Sequence, residues 1–234
     1  MAIVDIVIPV YNEEHVLEES INTLREFLQA GFKHEWKIVV ANNASTDGTL
    51  ALAQKLANKY PDVGYVHLDQ KGRGRALRKA WLESKADVVS YMDVDLSTEL
   101  AAFPPLVDSL LNGYDVAIGS RLSAKSRTTR SLKREFISRC YNLLIQAMFF
   151  TNFVDAQCGF KGVTRRAADQ LVPLIKDQAW FFDSELLLLA VRKGYRIKVI
   201  PVLWVEDTDT RVKIFNTAME DIKGLLRMRF GPTP

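Results

Sequence analysis

From Ile3 to Gly119, short β-branched runs alternate with amphipathic stretches, an order that few architectures bury except a mainly parallel sheet with helices on its faces. The strand-like runs lie at 3–9, 36–41, 63–68, 87–92 and 114–119, with helix-like stretches at 13–29, 50–59, 73–84 and around 106–111. Asn12 is placed to cap the first helix and Gly31 to stop it in the left-handed conformation; Ser45-Thr46-Asp47 offers a cap to the second. Ligands of open α/β sheets gather beyond the carboxyl ends of the strands. The polar clusters 11–14, 42–47, 93–95 and 120–121 all fall there, so a single site is expected.

The second half is less regular. A helix is expected over 136–153, a strand over 158–163, a helix capped by Thr164, another helix over 184–193 and a strand over 195–202. No repeat, low-complexity tract or Pro/Gly-rich linker divides the chain, so residues 1–234 read as one α/β domain. Cys140 and Cys158 have neither the number nor the spacing of a disulfide framework or a zinc site, which points to a reducing, cytosolic setting. No charged leader precedes the apolar run at 3–10, and no stretch of about 20 apolar residues occurs, so membrane contact is expected to be peripheral.

Charge is concentrated. Residues 121–139 hold seven basic side chains against one acid, Glu135, although the whole chain carries only +3. An apolar helical stripe of Phe136, Ile137, Tyr141, Leu144, Ile145, Met148 and Phe149 follows. Either this helix lies at a membrane interface beside its basic segment, or it packs into the core behind a solvated loop. The C-terminal stripe of Phe215, Met219, Ile222, Leu226 and Phe230 presents the same two alternatives. Aromatic residues are not interleaved with the basic ones, which argues against nucleic acid.

Three motifs carry chemistry. Asp93 and Asp95 follow an apolar strand, where two carboxylates one residue apart can share Mg²⁺ or Mn²⁺ with substrate phosphates. Lys71-Gly72-Arg73-Gly74-Arg75 sits between a strand and a helix, where its backbone N–H groups and cations suit an anion. The loop from Asn42 to Thr49, with Asn43 and Asp47, can bond a nucleobase or ribose, and it can equally serve as turn and capping chemistry.

Together with Pro9-Val10-Tyr11-Asn12-Glu13-Glu14, these motifs resemble in order and spacing the family 2 glycosyltransferases of the GT-A fold, over nearly the whole chain. That fold is a Rossmann-like, mainly parallel sheet flanked by helices, here with peripheral amphipathic helices. In the second half, 155–161, 182–187 and 194–196 resemble the polyprenyl-phosphate hexosyltransferases, nearer the dolichyl-phosphate and undecaprenyl-phosphate glucosyltransferases than the mannose synthases.

The resemblance implies a nucleotide-sugar half at 1–120 and an acceptor half at 121–234. It implies that Pro9, Tyr11, Glu13, Asn42 and Asn43, with Asp47 in their loop, hold the nucleoside, that Lys71 and Arg73 support the phosphates, and that Asp93 and Asp95 bind metal and diphosphate. Asp155 matches the position of a catalytic base in an inverting transfer, with Asp183 and Glu185 as rivals for that role. An acceptor phosphate is already largely a dianion at pH 7, so Asp155 either takes a proton or orients a cation. Arg121, Arg130, Lys133 and Arg134 are the expected ligands of that phosphate. Asn42-Asn43-Ala44 replaces the more usual Asp-Asp-Gly, which exchanges a carboxylate contact to the base for an amide and leaves the base open, whereas Ser97 stands where mannose synthases often carry Gln, so a UDP-hexose is favoured over GDP-mannose. The expected acceptor is a polyprenyl phosphate at the cytosolic membrane face, the alternatives being a mannose synthase or a non-lipid acceptor.

Overall fold

The β-branched runs of the first 120 residues form strands, as their periodicity requires. The computed structural model describes residues 1–129, 131–205 and 214–231, without the side chains of Leu132 and of 214–216. The first half runs β1 (Ile3–Val10), α1 (Leu17–Gly31), β2 (Glu35–Asn43), α2 (Thr49–Lys59), β3 (Val63–Leu68), α3 (Arg73–Glu83), β4 (Val88–Met92), α4 (Phe103–Leu111) and β5 (Val116–Ser120). The second half adds β6 (Arg127–Thr129), α5 (Leu132–Phe149), β7 (Phe160–Thr164), α6 (Arg165–Leu171), α7 (Phe182–Arg192), β8 (Ile197–Pro201), β9 (Leu203–Val205) and α8 (Ile214–Phe230).

Seven strands form one sheet in the order β3-β2-β1-β4-β7-β5-β8. Only β7 runs antiparallel, between β4 and β5. A strand of the second half thus completes the sheet of the first. The strand order reverses at β1, which has β2 on one side and β4 on the other, and the crevice beyond their carboxyl ends is where such sheets bind ligands. Alternation along β1 divides the core: Ile6 and Ile8 pack with Leu17, Ile21 and Leu24 of α1, while Val7 faces Leu77 and Trp81 of α3 on the other side.

Several local expectations change. Asn12 adopts a left-handed φ of 56° and so does not cap α1. Its Oδ1 instead accepts the Thr46 N–H at 2.8 Å, and its own N–H donates to Ser45 Oγ at 3.0 Å, tying two strand-end loops together. The helix begins only at Leu17. Gly31 is its last helical residue, and the chain leaves through an extended Phe32 without a left-handed stop. Helix α2 begins after Gly48 without a side-chain cap, and Asp47, one residue further out, accepts the Thr49 N–H at 3.0 Å as a local turn. The basic segment, expected to be a loop, contains β6, which pairs in parallel with β9 to form a small second sheet.

Each amphipathic helix buries one face against the core and leaves apolar residues exposed on another. On α5, Asn142 and Ile145 are buried while Phe136, Leu143 and Phe150 just beyond it are 69%, 66% and 83% exposed. On α8, Asp221, Leu225 and Met228 are buried, and Gly224 lies so close to the Phe181 ring that a Cβ would overlap it. The predicted stripe of Met219, Ile222, Leu226 and Phe230 is the exposed face. Phe215 lies outside the described side chains. Among the described residues, no helix is long and apolar enough to cross a membrane.

Candidate functional site

The end of β4 carries Asp93, half-exposed, and Asp95, exposed. Asp95 Oδ1 accepts the Ser97 N–H at 3.0 Å, which folds the chain back toward the sheet. Asp93 Oδ1 accepts from Arg73 Nη2 at 2.8 Å. Arg73 opens α3 and reaches in the other direction as well, donating through Nη1 to Asp183 Oδ2 at 2.7 Å. Asp183 stands in the first turn of α7 and also receives Lys161 Nζ at 3.0 Å and the Tyr91 hydroxyl. Lys161, wholly buried in β7, donates further to Tyr91 Oη at 3.1 Å and to the Cys158 carbonyl at 2.5 Å.

A chain of alternating charge therefore runs from the strand end into the core: Asp93, Arg73, Asp183, Lys161. Burial by itself raises the carboxyl pKa of Asp183, but Lys161 and then Arg73 hold it below its ordinary 3.8. The Tyr91 hydroxyl is pushed well above its usual range by burial and by Asp183, so it stays protonated and donates. Sequence reasoning assigned no role to Lys161 or Tyr91. The one available signal was a lysine inside an otherwise apolar strand.

Asp155 is also wholly buried. Its Oδ2 accepts both the backbone N–H and Nε of Arg121 at 2.9 Å, and its Oδ1 accepts Nη2 at 2.8 Å. Burial opposes its ionisation, but the Arg121 charge and these hydrogen bonds lower the carboxyl below 3.8. A carboxylate so engaged is a weak proton acceptor and a firm anchor for a guanidinium. Arg121 lies over the Trp204 ring with its guanidinium carbon 5.5 Å from the centroid. The neighbouring Cys158 thiol is pushed up to about 12 by burial and by Asp155, which leaves it unreactive. Glu185, the other rival for a base, accepts the Asp177 N–H at 2.9 Å and Arg227 Nη2 at 2.7 Å.

Among the residues expected to hold the nucleotide, the Lys71 ammonium lies 3.4 Å from the centroid of the Tyr11 ring. Asn43 Oδ1 accepts the Gly72 N–H at 2.5 Å, placing it beside the same loop. Asn42, one residue earlier on β2, points to the opposite face by strand alternation. It is wholly buried, with its amide 2.8 Å from His67 Nδ1, so the structure separates the two asparagines that the sequence reading had grouped. Pro9 is the penultimate residue of β1 and pairs with Ala41. The Glu13 N–H donates to Thr49 Oγ1 at 2.9 Å, and Asp47 Oδ1 accepts the Thr49 N–H at 3.0 Å, which places both in the loop junction around Asn12.

Of the expected phosphate ligands, only Arg121 is joined to this centre by a described contact with Asp155. Lys133 is exposed and Arg134 half-buried on the first turn of α5, and Arg130 lies outside the described residues. Helix α5 nevertheless abuts the centre, because Asn142 Oδ1 accepts the Ala156 N–H at 2.8 Å, next to Asp155.

Asp93 and Asp95 offer hard oxygen ligands, and among the described residues no third histidine, cysteine or carboxylate joins them in a cluster. The donor set fits Mg²⁺ or Mn²⁺, which take their remaining ligands from phosphate oxygens and water.

Helix α8 adds a titratable group at the edge of the site. Asp221 Oδ2 accepts from Gln157 Nε2 at 2.6 Å, while its buried Oδ1 has no partner among the described residues. Its carboxyl is pushed up to about 7, first by burial and then by Asp177, Asp183 and Glu220. The unfolded value is about 3.9, so the folded protein holds an extra proton between the two values, and stability falls as pH rises through that window. Asp221→Asn removes the effect. Its thermal midpoint is expected to fall less than that of the wild type between pH 5 and pH 8, the difference amounting to roughly 1–3 kcal/mol. Equal pH slopes for the two proteins would refute the assignment.

Comparison with known proteins identifies the family and the fold. The family described as glycosyl transferase family 2 matches residues 5–172, from β1 to the short turn after α6. Glycosyltransferase AglD of Haloferax volcanii is 34% identical over 228 residues, covering 95% of this chain and 35% of that protein. The dolichyl-phosphate beta-glucosyltransferase ALG5C of Trichomonas vaginalis is 30% identical over 220 residues, covering 89% of this chain and 65% of that one. The chain thus spans about a third of the first relative and just under two thirds of the second. Among solved structures, glucosyl-3-phosphoglycerate synthase from Mycobacterium tuberculosis, in complex with Mn²⁺, UDP and glucosyl-3-phosphoglycerate, superposes with a TM-score of 0.73 at 19% identity, covering 99% of this chain and 81% of that one. That likeness carries the GT-A-like fold, a mostly parallel sheet between helices. Since the family match runs through the strand-end loops, Arg73, Asp93 and Asp155, the chain belongs to glycosyl transferase family 2.

Proposed function

We propose that this chain transfers a hexose, glucose in the first place, from a UDP-sugar to a polyprenyl phosphate, with inversion and with a divalent cation, at the cytosolic surface of a membrane. The observation that carries the proposal is the placement of Asp155–Arg121 directly against α5, whose opposite face exposes Phe136 and Leu143. A phosphate-binding cation next to an exposed apolar face suits an acceptor with an anionic head and an isoprenoid tail. The exposed apolar residues of α8 extend that surface. The name of ALG5C and the UDP and Mn²⁺ of the solved relative support the same donor and acceptor classes.

In this reading residues 1–120 hold the donor and 121–234 the acceptor. Tyr11 and Lys71 flank the nucleoside together with Asn43, and Arg73 reaches the diphosphate. A cation on Asp93 and Asp95 supplies charge neutralisation for the departing UDP. Arg121, fixed by Asp155, receives the acceptor phosphate, with Lys133 and Arg134 further along the approach. The phosphate has a second pKa of about 6, so its oxygen attacks the anomeric carbon as an anion while the bond to UDP breaks, and no side chain needs to take a proton. Attack from the side opposite the leaving diphosphate inverts the configuration.

The test is a partition assay. Protein, Mg²⁺ or Mn²⁺ and polyprenyl phosphate are incubated with labelled UDP-glucose, UDP-GlcNAc or GDP-mannose in turn, and the lipid is extracted. Label is expected in the organic phase from UDP-glucose. Transfer from GDP-mannose alone would overturn the choice of donor, and label confined to water-soluble products would overturn the lipid acceptor.

A further inference from the structure

Arg73 holds two carboxylates at once, and they differ in freedom. Asp183 is 4% exposed and is locked from behind by Lys161 at 3.0 Å and by the Tyr91 hydroxyl. Asp93 is 47% exposed at the mouth of the site. The backbone that bears Arg73 is fixed as well, since the Gly74 and Arg75 N–H groups donate to the carbonyls of Ala179 and Gln178, each at 3.1 Å. Arg73 therefore has a rigid inner anchor and a looser outer partner, and its side chain is the part able to shift.

The outer partner is half of the expected cation site. Asp93 Oδ1 accepts from Arg73, and its Oδ2 lies so close to Gly159 that a Cβ there would overlap the carboxylate. A divalent cation approaching Asp93 meets a guanidinium already in place, and two cations on one carboxylate oxygen repel. The rings of Tyr91 and Trp180, with centroids 4.9 Å and 5.2 Å from the guanidinium carbon, flank Arg73 and offer it a second, non-carboxylate environment.

We infer that Arg73 is the resident counter-ion of Asp93 in the unliganded protein, that it competes with the divalent cation for that carboxylate, and that a diphosphate draws it away. The last part rests on the donor reading above. The cation and the diphosphate then bind cooperatively, each tightening the other by a factor in the range of about 5–150. A cation alone binds poorly, which guards the site against occupation without donor.

Mn²⁺ binding, followed by the electron paramagnetic resonance of the free ion, tests this without turnover. Wild type, Arg73→Gln, Arg73→Lys and Lys71→Gln are titrated alone and with pyrophosphate, UDP or GDP, after the thermal midpoint of each has been checked. Arg73→Gln is expected to bind Mn²⁺ alone roughly tenfold more tightly than wild type and to gain less from UDP. Arg73→Lys keeps the charge but loses the fork that spans both carboxylates, so it falls between them. Lys71→Gln removes an equal charge that is not paired with Asp93, so it stays within about twofold of wild type without nucleotide.

Folded Arg73 variants that bind Mn²⁺ alone no more tightly than wild type would overturn the inference, as would an equal gain in Lys71→Gln. If Arg73→Gln tightens Mn²⁺ while pyrophosphate, UDP and GDP leave wild type unchanged, the competition stands and the diphosphate-donor reading fails. A larger gain from GDP than from UDP keeps the competition and overturns the uridine donor.

Discussion

Lys161→Met is expected to cost about 3–5 kcal/mol of folding stability, measured by urea unfolding, although methionine nearly matches lysine in volume. The loss comes from charge. Lys161 is fully buried, and its ammonium is matched by the Asp183 carboxylate, the Tyr91 hydroxyl and the Cys158 carbonyl. Removing it leaves Asp183 buried with a single cation, Arg73, and leaves the Cys158 carbonyl with only the longer 3.3 Å contact from the Tyr91 hydroxyl. Taking away one partner of a buried pair is far more costly than replacing both. Lys161→Met/Asp183→Asn is therefore expected to cost less than the sum of the two single variants, by about 0.5–3 kcal/mol.

The acid limb provides a second readout. Asp183 is held below its ordinary value in the folded state, so its stabilisation is complete above the unfolded pKa of about 4 and is lost as pH falls through the lowered folded value. In Lys161→Met acid unfolding should begin at higher pH. A single-variant cost under about 1 kcal/mol, with an unchanged acid limb, would show that the lysine is not matched as described.

The history of this network explains what could be read in advance. The β1 and β4 strands, and the position of Asp93 and Asp95 at a strand end, were legible because hydrophobic periodicity is local. The glycine-flanked loop singled out Arg73 as a cation placed for an anion. Its bridge to Asp183 could not, because the two lie 110 residues apart and meet only after β7 has entered the sheet between β4 and β5. Nothing in the run from Phe160 to Thr164 announces an antiparallel strand, and no pattern rule predicts that its lysine turns inward.

Where the reading of Asn12 and of the two asparagines departed from the structure, the reason is again tertiary. Asn12 is an excellent cap by residue type, yet a bond to Thr46 across 34 residues uses its side chain for loop docking. Asn42 and Asn43 are neighbours in sequence, but the twofold period of a strand sends them to opposite faces. The basic segment was visible as charge. Its short strand β6 was not, because its pairing partner β9 lies more than 70 residues away.

Asp155→Asn is expected to lower kcat/KM for the acceptor by about 10²–10³, the scale for loss of a preorganised electrostatic group, without removing the pH limb of the reaction. The argument turns on what each atom is already doing. Both Asp155 oxygens accept from Arg121, and its carboxyl lies below 3.8, so at neutral pH it is fully ionised, paired and poorly basic. In the proposed transfer its contribution is to fix the Arg121 guanidinium where the acceptor phosphate would meet it. If so, the rising limb of kcat/KM follows the second ionisation of that phosphate, near pH 6, in wild type and variant alike. Arg121→Gln should match the loss in Asp155→Asn, and the double variant should be scarcely worse than either, because both disable one unit. A proton-abstracting Asp155 requires the opposite pattern: the limb vanishes in Asp155→Asn, and Arg121→Gln, whose Asp155 is freed from its ion pair and made more basic, keeps it with the apparent pKa moved upward.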